Sequence, residues 1–193
     1  MNVTIRAGLP EGTRAAAAGL YWEAFGPKLA RVLGPDLRGL RFVERVIDEE
    51  HVLSASCEGE LVGVIGFRSP RGGFVGGTAE DLTDIYGGYG ALWRRLCFAW
   101  LARDVEPRAL VIDGICVHPD WRGHGIGTAL IEGLCDKTRA LGYPSIRLDV
   151  VDKNIRARAL YERMGFEVSR ERKSFFTALA FAFRRSLVME RDL

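Results

Sequence analysis

Charge of either sign is almost balanced in this sequence. Lysine and arginine together number 27, and aspartate and glutamate together number 25, which leaves a formal net charge of +2 at neutral pH. Proteins that bind nucleic acids or anionic membranes usually concentrate positive charge on one surface. The composition therefore predicts neither a nucleic acid nor a membrane as the main partner.

Cysteine and histidine are scarce, and neither is grouped. The four cysteines are far apart, no CxxC pair occurs, and the three histidines form no cluster. Metal sites need several such ligands at close spacing. We predict no bound metal, and four reduced, mostly buried thiols at Cys57, Cys97, Cys116 and Cys135.

Long hydrophobic runs are missing. The most apolar helical candidate, residues 91–102, includes Arg94 and Arg95, and it is far shorter than the roughly 20 apolar residues that cross a bilayer. The first 14 residues lack the charged and apolar regions of a secretion signal. The sequence thus predicts a cytoplasmic protein without a membrane span.

What the sequence does contain is a regular series of strand-like and helix-like patterns, in a chain of 193 residues that suits one domain. Helices are predicted after residue 12 with an interruption at Gly26-Pro27, and then over 36–50, 91–102, 126–141 and 155–164. Strands are predicted over 3–6, 51–57, 61–68, 110–117, 145–151, 166–170 and 186–190. This order indicates an α/β or α+β sheet with flanking helices.

Residues 70–107 change the character of the chain. A glycine-rich run, GGFVGG, precedes two helical stretches that are separated by GGYG. We interpret this segment as a helical insertion whose glycine hinges can shape substrate access. Large apolar residues recur in it at helical spacing, which favours core packing over a cofactor-binding stripe: Trp93, Leu96, Trp100 and Leu101.

The stretch VHPDWRGHGIGTAL, residues 117–130, places three glycines within five positions directly after Arg122 and then continues as a helix. The first N–H groups of a helix have no partner within it and attract phosphate oxygens, and glycine leaves room for them. A simple tight turn explains the same letters equally well. Taken alone, the stretch leaves both interpretations open.

Two better-known phosphate loops do not fit this stretch. A Walker-type loop ends in Gly-Lys-Ser/Thr, whereas this one ends in Gly127-Thr128 without a lysine. The dinucleotide fingerprint requires glycine at the sixth place from Gly123, where Thr128 stands. Asp149, at a suitable distance for a ribose ligand, is then better interpreted as a strand-end acid.

The loop does match Arg-x-x-Gly-x-Gly after Val117-His118-Pro119, and a second block, NIRARALYERMGF, occupies residues 154–166. The loop is similar to motif A of the GNAT superfamily of acyl-CoA-dependent N-acetyltransferases. The second block resembles that superfamily's Asn-x-x-Ala-x-x-Leu-Tyr-Glu-x-x-Gly-Phe. The close match covers residues 113–166, with a helix and a strand between the two blocks in the expected order.

The resemblance implies a central mixed, mostly antiparallel sheet of six to seven strands with flanking helices. It implies one domain over residues 1–193, with the helical insertion at 70–107 after the third strand. Acetyl-CoA would be the acyl donor, without a metal, and would lie against Ile115, Cys116 and Val117 in a gap between splayed strands. A backbone N–H of Val117 or a neighbour would polarise the thioester carbonyl. The pyrophosphate would sit on Arg122, Gly123, His124, Gly125, Ile126, Gly127 and Thr128.

The resemblance also implies that Tyr161 protonates the departing CoA thiolate and that Asn154 bonds the pantetheine arm or caps its helix. For an acceptor amine with a pKa of about 10.4, presenting the free base at neutral pH costs on the order of 4.6 kcal/mol, so a base helps. Asp113 is the candidate base, and strict alternation places it on one strand face with Ile115 and Val117. A solvent-facing or loop-bonded role fits Asp113 equally well. Weaker candidates for the base are Glu44, Asp48 and Glu80.

We therefore expect direct acetyl transfer from acetyl-CoA to a primary amine of a small molecule or peptide. A thiol nucleophile at Cys116 with His118 would lack a third orienting group, and His51 has no partner that the sequence reveals.

Two alternatives remain open. One is a non-catalytic acyl-CoA-binding or sensing domain. The other is transfer of a longer acyl group, which would call for Arg68 or Arg71 near the thioester. The apolar stretch 175–183 is the candidate for a homodimer contact or for a lid over the acceptor site.

Overall fold

The computed structural model describes residues 2–34, 37–101, 108–173 and 185–193 of the chain. Within these ranges the strands are β1 Val3–Ala7, β2 Val52–Cys57, β3 Glu60–Ser69, β4 Gly72–Gly73, β5 Ala109–Val117, β6 Ser145–Val151, β7 Glu167–Lys173 and β8 Arg185–Asp192. The α-helices are α1 Arg14–Leu33, α2 Leu37–Val46, α3 Ala79–Leu101, α4 Ile126–Ala140 and α5 Ile155–Arg163. Residues 175–183, the predicted contact or lid, lie outside the described ranges.

The strands form one mixed sheet in the order β1-β2-β3-β5-β6-β8-β7, with β4 paired to β3. Every pairing is antiparallel except that of β5 with β6, which is parallel. The predicted mixed, mostly antiparallel sheet is confirmed, and all seven predicted strands are present. The eighth strand is the two-residue β4, which is too short to leave a periodic pattern in the sequence.

Two hydrophobic layers cover the two faces of the sheet. One layer, here called the α4 layer, is built from the buried faces of α4 and α5 against β2, β3, β5 and β6. The other, here called the α1 layer, is built from α1, α2 and α3 against the opposite face. All four cysteines are buried and free, as predicted. In the described part of the chain, no helix combines the length and the hydropathy needed to cross a membrane.

Two helix boundaries differ from the prediction. α1 runs without a break through Gly26 and Pro27. A proline removes one hydrogen bond of the helical ladder, and the segments on both sides of Pro27 bury apolar residues in the same layer. α2 ends at Val46 rather than at residue 50. Ile47 leaves the helix to form a bridge with Val75, and Asp48 then caps a short 3-10 turn over Glu49–His51.

We predicted that the large apolar residues of the insertion helix pack in the core. For Trp93 and Leu96, whose side chains the structure describes, this prediction is wrong. Trp93 is 42% exposed and Leu96 is 67% exposed. The buried residues of α3 in the α1 layer are Leu82, Ala91 and Cys97, and the partly buried Ile85, Tyr86 and Phe98 pack against them. A non-helical Gly87, with φ of 70°, divides α3 into two helical segments, and α3 packs on α1 and α2. The side chains of Trp100 and Leu101 lie outside the described part.

We predict that Gly66→Ala destabilises the protein by about 1–3 kcal/mol, because an overpacked core must move its neighbours. A Cβ atom at Gly66 would lie 2.5 Å from Cδ1 of Phe74, which is fully buried. The matched control is Gly19→Ala on the exposed side of α1, where a Cβ atom meets nothing within 4 Å. Urea unfolding should show Gly19→Ala to be more stable than the parent by about 0.5–1 kcal/mol. Equal midpoints for the two variants would contradict the packing described here.

Candidate active site

The main feature of the sheet is a gap between β5 and β6. The two parallel strands pair only from Ala109 opposite Ser145 to Ile112 opposite Leu148. Beyond this point β5 continues with β3 as far as Val117, while β6 continues with β8. The strands therefore splay apart, and after Ile112 one edge of β5 has no strand partner among the residues that the structure describes.

The ladder with β3 determines which backbone groups face this gap. The N–H of His118 donates to the carbonyl of Val62 over 2.9 Å, so the alternate residue Cys116 also directs its backbone groups at β3. The N–H and C=O groups of Ile115 and Val117 then point towards the gap. The structure places Cys116 with its side chain buried in the α1 layer. Of the three strand residues predicted to contact the donor, Ile115 and Val117 have backbone groups available there.

The glycine loop opens the N-terminus of α4 at the end of this gap. Gly123 and Gly125 have φ of 84° and 79°, and a Cβ atom at either position would meet nothing within 4 Å. The first helical bond runs from the Ala129 N–H to the Gly125 carbonyl over 3.0 Å. The three preceding N–H groups, at Ile126, Gly127 and Thr128, thus have no partner in the helix. An anion has both open space and backbone donors here.

Arg122 holds the loop in place. Its Nε donates to the Val117 carbonyl over 3.0 Å, and its Nη2 donates to Glu23 of α1 over 3.3 Å. The guanidinium thus joins the strand end, the loop and α1, and it remains largely exposed beside the helix start. His124 is exposed and lies edge-on to Trp121, with ring centroids 6.5 Å apart.

Tyr161 lies in the α4 layer, and Asn154 begins its helix. Tyr161 is only 7% exposed, and its ring packs against Phe166 at a centroid distance of 5.9 Å. Burial raises the pKa of the Tyr161 phenol to about 12, and the nearby Cys116 contributes in the same direction. The phenol is therefore protonated at neutral pH. The Asn154 side chain accepts a hydrogen bond from the Ala157 N–H over 3.3 Å, which confirms its predicted capping role.

Asp113 occupies an irregular position in β5. Its Oδ1 accepts a hydrogen bond of 2.6 Å from Nη2 of Arg68. Its Oδ2 is buried and makes no hydrogen bond of good geometry in the described structure, although the nearby Val75 backbone N–H also favours the charged carboxylate. Burial raises the pKa of the carboxyl group, and the Arg68 charge is the largest influence that opposes the shift. The Arg68 charge thus favours the ionised carboxylate in a buried position. Because of burial, this carboxylate still binds a proton more tightly than an ordinary aspartate does.

The prediction that Asp113, Ile115 and Val117 share one strand face is wrong. The register changes from Gly66 opposite Gly114 to Phe67 opposite Ile112, so Asp113 is an extra residue in β5. A bulge of this kind interrupts the alternation of side chains. Asp113 lies next to Tyr21 of the α1 layer, whereas Ile115 and Val117 pack in the α4 layer. The weaker candidate Asp48 is bound to His51 instead.

Two aromatic residues near Asp113 were not predicted as part of the site, and Arg68 was predicted only as a possible cation for a longer acyl group. Tyr21 and Phe25 of α1 have ring centroids 4.7 Å apart, and a Cβ atom at Gly114 would lie 2.7 Å from Cε2 of Phe25. The cation near Asp113 is Arg68, its ion-pair partner. A glycine inside an apolar strand can signal a close approach such as that of Phe25 to Gly114. Nothing in the local sequence identifies the ring that makes this approach.

Comparison with known proteins gives the family. The model of the acetyltransferase (GNAT) family matches residues 16–166. The match covers more than half of the chain, and the chain therefore belongs to this family, whose acyl donor is acetyl-CoA. In the described ranges, no group of three or more His, Cys, Asp or Glu side chains is placed to hold a metal ion.

Solved structures agree on the fold. An N-acetyltransferase from Staphylococcus aureus Mu50 has a TM-score of 0.67 at 17% identity, with 97% of this chain and 99% of that chain covered. The ribosomal-protein-S18-alanine N-acetyltransferase from Escherichia coli has a TM-score of 0.59 at 16% identity, over 99% and 94% of the two chains. Agmatine N-acetyltransferase has a TM-score of 0.64 at 17% identity and full coverage of both chains.

We predict that Tyr161→Phe removes one phenolate absorbance step with a midpoint near pH 12, because burial disfavours the charged phenolate. The measurement is the difference between alkaline absorbance titrations of the parent and the variant, with circular dichroism to verify that both stay folded through the step. A missing step near pH 10, the ordinary value for tyrosine, would show that the phenol is open to water.

Proposed function

We propose that this protein transfers an acetyl group from acetyl-CoA directly to a primary amine of a small molecule or peptide. The observation that carries the proposal is the gap between β5 and β6. The gap ends at a glycine-lined helix start, and a protonated tyrosine is buried in the adjoining layer. An extended thioester with a diphosphate at its far end requires this combination of a free strand edge and an anion site.

The donor would bind mainly through backbone groups. The pantetheine arm would extend along the free edge at Ile115 and Val117, and the diphosphate would accept hydrogen bonds from Ile126, Gly127 and Thr128. Arg122 would act by fixing the loop through the Val117 carbonyl and by adding positive charge at the same place. The Val117 N–H is the candidate donor to the thioester carbonyl, a contribution worth about 2.7–4 kcal/mol in enzymes where it has been removed.

Asp113 is the proposed base for the acceptor amine. Its pKa is raised by burial, which brings the carboxylate closer to the proton affinity that general-base catalysis at neutral pH requires. Its Oδ2 makes no hydrogen bond of good geometry in the described residues, so this oxygen can accept the proton of an ammonium group that reaches it. The acceptor would then approach from the α1 layer, beside Tyr21 and Phe25.

Tyr161 is the proposed acid for the leaving thiolate. Its phenol is protonated over the physiological range because its pKa is about 12. Once the amine nitrogen has attacked the acetyl carbon, the carbon–sulfur bond breaks and the sulfur takes the phenol proton. General acid catalysis of this kind raises the reaction rate by roughly 10²–10⁴-fold.

The positions of two arginines support acetyl as the transferred group, and two structural neighbours support an amine as the acceptor. A longer acyl group with a free carboxylate would call for an unengaged cation near the thioester, but Arg68 is bound to Asp113 and Arg71 lines a cavity at the far end of β3. These contacts favour acetyl. Two of the structural neighbours are named for an alanine acceptor on a ribosomal protein and for agmatine, which are both amines.

The first test is release of free thiol from acetyl-CoA with a panel of amino acids, polyamines, aminoglycosides, small amines and short peptides. We expect turnover on one class of amine and at least a tenfold loss of kcat in Tyr161→Phe. The matched control is Tyr89→Phe, because Tyr89 is 96% exposed, and its rate should equal that of the parent. Tight binding of acetyl-CoA without turnover on any amine would instead support the sensing domain.

The second test is Asp113→Asn, which keeps the side-chain size and removes the base. We expect kcat/KM to fall by about 10²-fold or more, with acetyl-CoA affinity unchanged. The pKa of Asp113 is raised, so the parent should begin to lose activity, as the pH is lowered, at a higher pH than an ordinary aspartate would give. The pH profile of the variant should lack this acidic decline. Asp136→Asn, on the exposed face of α4, is the control. An unchanged pH profile in Asp113→Asn would assign the proton to water.

A further inference from the structure

A second set of polar side chains is joined by hydrogen bonds at the other end of β3. Oδ2 of Asp48 lies 2.7 Å from Nδ1 of His51, and Nε2 of His51 lies 3.0 Å from Oγ of Ser69. We call these residues the Asp48–His51–Ser69 chain. A nucleophile within hydrogen-bond reach of a base, with the base oriented by a third group, is the arrangement that activates serine.

The chemistry of the partners assigns the protons in this chain. A carboxylate only accepts hydrogen bonds, so Nδ1 of a neutral His51 carries the proton that faces Asp48. Nε2 then holds a lone pair and accepts from the Ser69 hydroxyl. The Arg71 N–H donates to the same Oγ over 3.1 Å, which directs the hydroxyl proton away from Arg71 and towards His51. The serine is thus placed next to a ready proton acceptor.

The chain is held rigidly. The His51 side chain is 7% exposed, and its ring packs against Phe67 at a centroid distance of 5.3 Å. Oδ1 of Asp48 accepts from the Glu50 N–H over 2.9 Å, which fixes the carboxylate from the other side. His51 therefore has two partners that its position in the sequence does not reveal.

A cavity of about 490 Å³ opens onto this chain, and both His51 and Ser69 line it. Arg71 and Lys137 line the same cavity and can place positive charge near an anionic oxygen, while Glu49, which pairs with Arg14, and Glu50 also line it. The site is separate from the acetyl-CoA site. Ser69 lies six residues along β3 from Gly63, which pairs with Val117, and six strand residues span about 20 Å.

The geometry points to a second catalytic site in which Ser69 is the nucleophile, His51 the general base and Asp48 the orienting group, acting on small carboxylic esters. Ser69 Oγ attacks the ester carbonyl as its proton passes to His51 Nε2. The alkoxy group leaves with that proton as an alcohol. Water then attacks the acyl-serine, gives one proton back to Ser69 through His51, and releases the carboxylic acid.

The experiment treats the full-length protein with a fluorophosphonate probe and locates the adduct by peptide mass spectrometry, with p-nitrophenyl acetate hydrolysis measured in parallel. We expect one adduct, on Ser69, and at least a tenfold loss of hydrolysis in Ser69→Ala. Asp48→Asn, at a half-exposed position, should label at least tenfold more slowly. Ser169→Ala is the matched control, since Ser169 donates to the Val188 carbonyl and not to a histidine in the described structure, and it should label like the parent.

Ser69→Cys keeps the proposal testable if the serine labels too slowly to detect. The four native cysteines are buried, so a new thiol that is activated by His51 should react with iodoacetamide at least tenfold faster than free cysteine at pH 6.5. Alkylation no faster than that of free cysteine, together with the absence of a Ser69 adduct, would overturn the proposal and leave the chain a structural link between β3 and the 3-10 turn.

Discussion

The structure depends on how β5 is shared between its two neighbours. β3 pairs with β5 from Val111 to Val117, whereas β6 stays with β5 only through Ile112. Backbone N–H and C=O groups must find partners in protein, solvent or ligand. Within the described residues, the edge of β5 beyond Ile112 therefore leaves backbone groups open to solvent or a ligand, and the glycine loop adds the unpaired N–H groups of the next helix. Side chains serve mainly to hold this backbone in place.

The bulge at Asp113 gives the second half of the site its chemistry. In a regular strand Asp113 would lie on the same face as Ile115 and Val117, within the apolar α4 layer, where an unpaired carboxylate is costly. The extra residue turns it towards the α1 layer, where Arg68 compensates its charge. One irregularity thus separates the two roles. In the proposed reaction the donor would lie against an apolar strand face, and the acceptor would meet a carboxylate on the opposite face.

Sequence patterns could predict the features that are local or that repeat with a fixed period. The seven longer strands, the glycine loop and the Asn154 cap belong to this class. Features set by distant partners could not be predicted. The bulge follows from the β3–β5 register, the exposure of Trp93 and Leu96 from the way α3 packs on α1 and α2, and the Arg122–Glu23 contact from packing across 99 residues of chain. In each case periodicity gave the element type, and tertiary contacts decided which way its side chains point.

The end of β3 connects the two sites electrostatically. Arg68 and Ser69 are neighbours on a strand and so point to opposite faces, the first to Asp113 and the second to His51. A charge on His51 lowers the pKa of Asp113, although less than Arg68 does. When His51 takes the proton of Ser69, Asp113 becomes a weaker base for an acceptor amine. Ester cleavage and amine acetylation on one molecule would then oppose each other, because the same short segment of strand supports the base of each reaction.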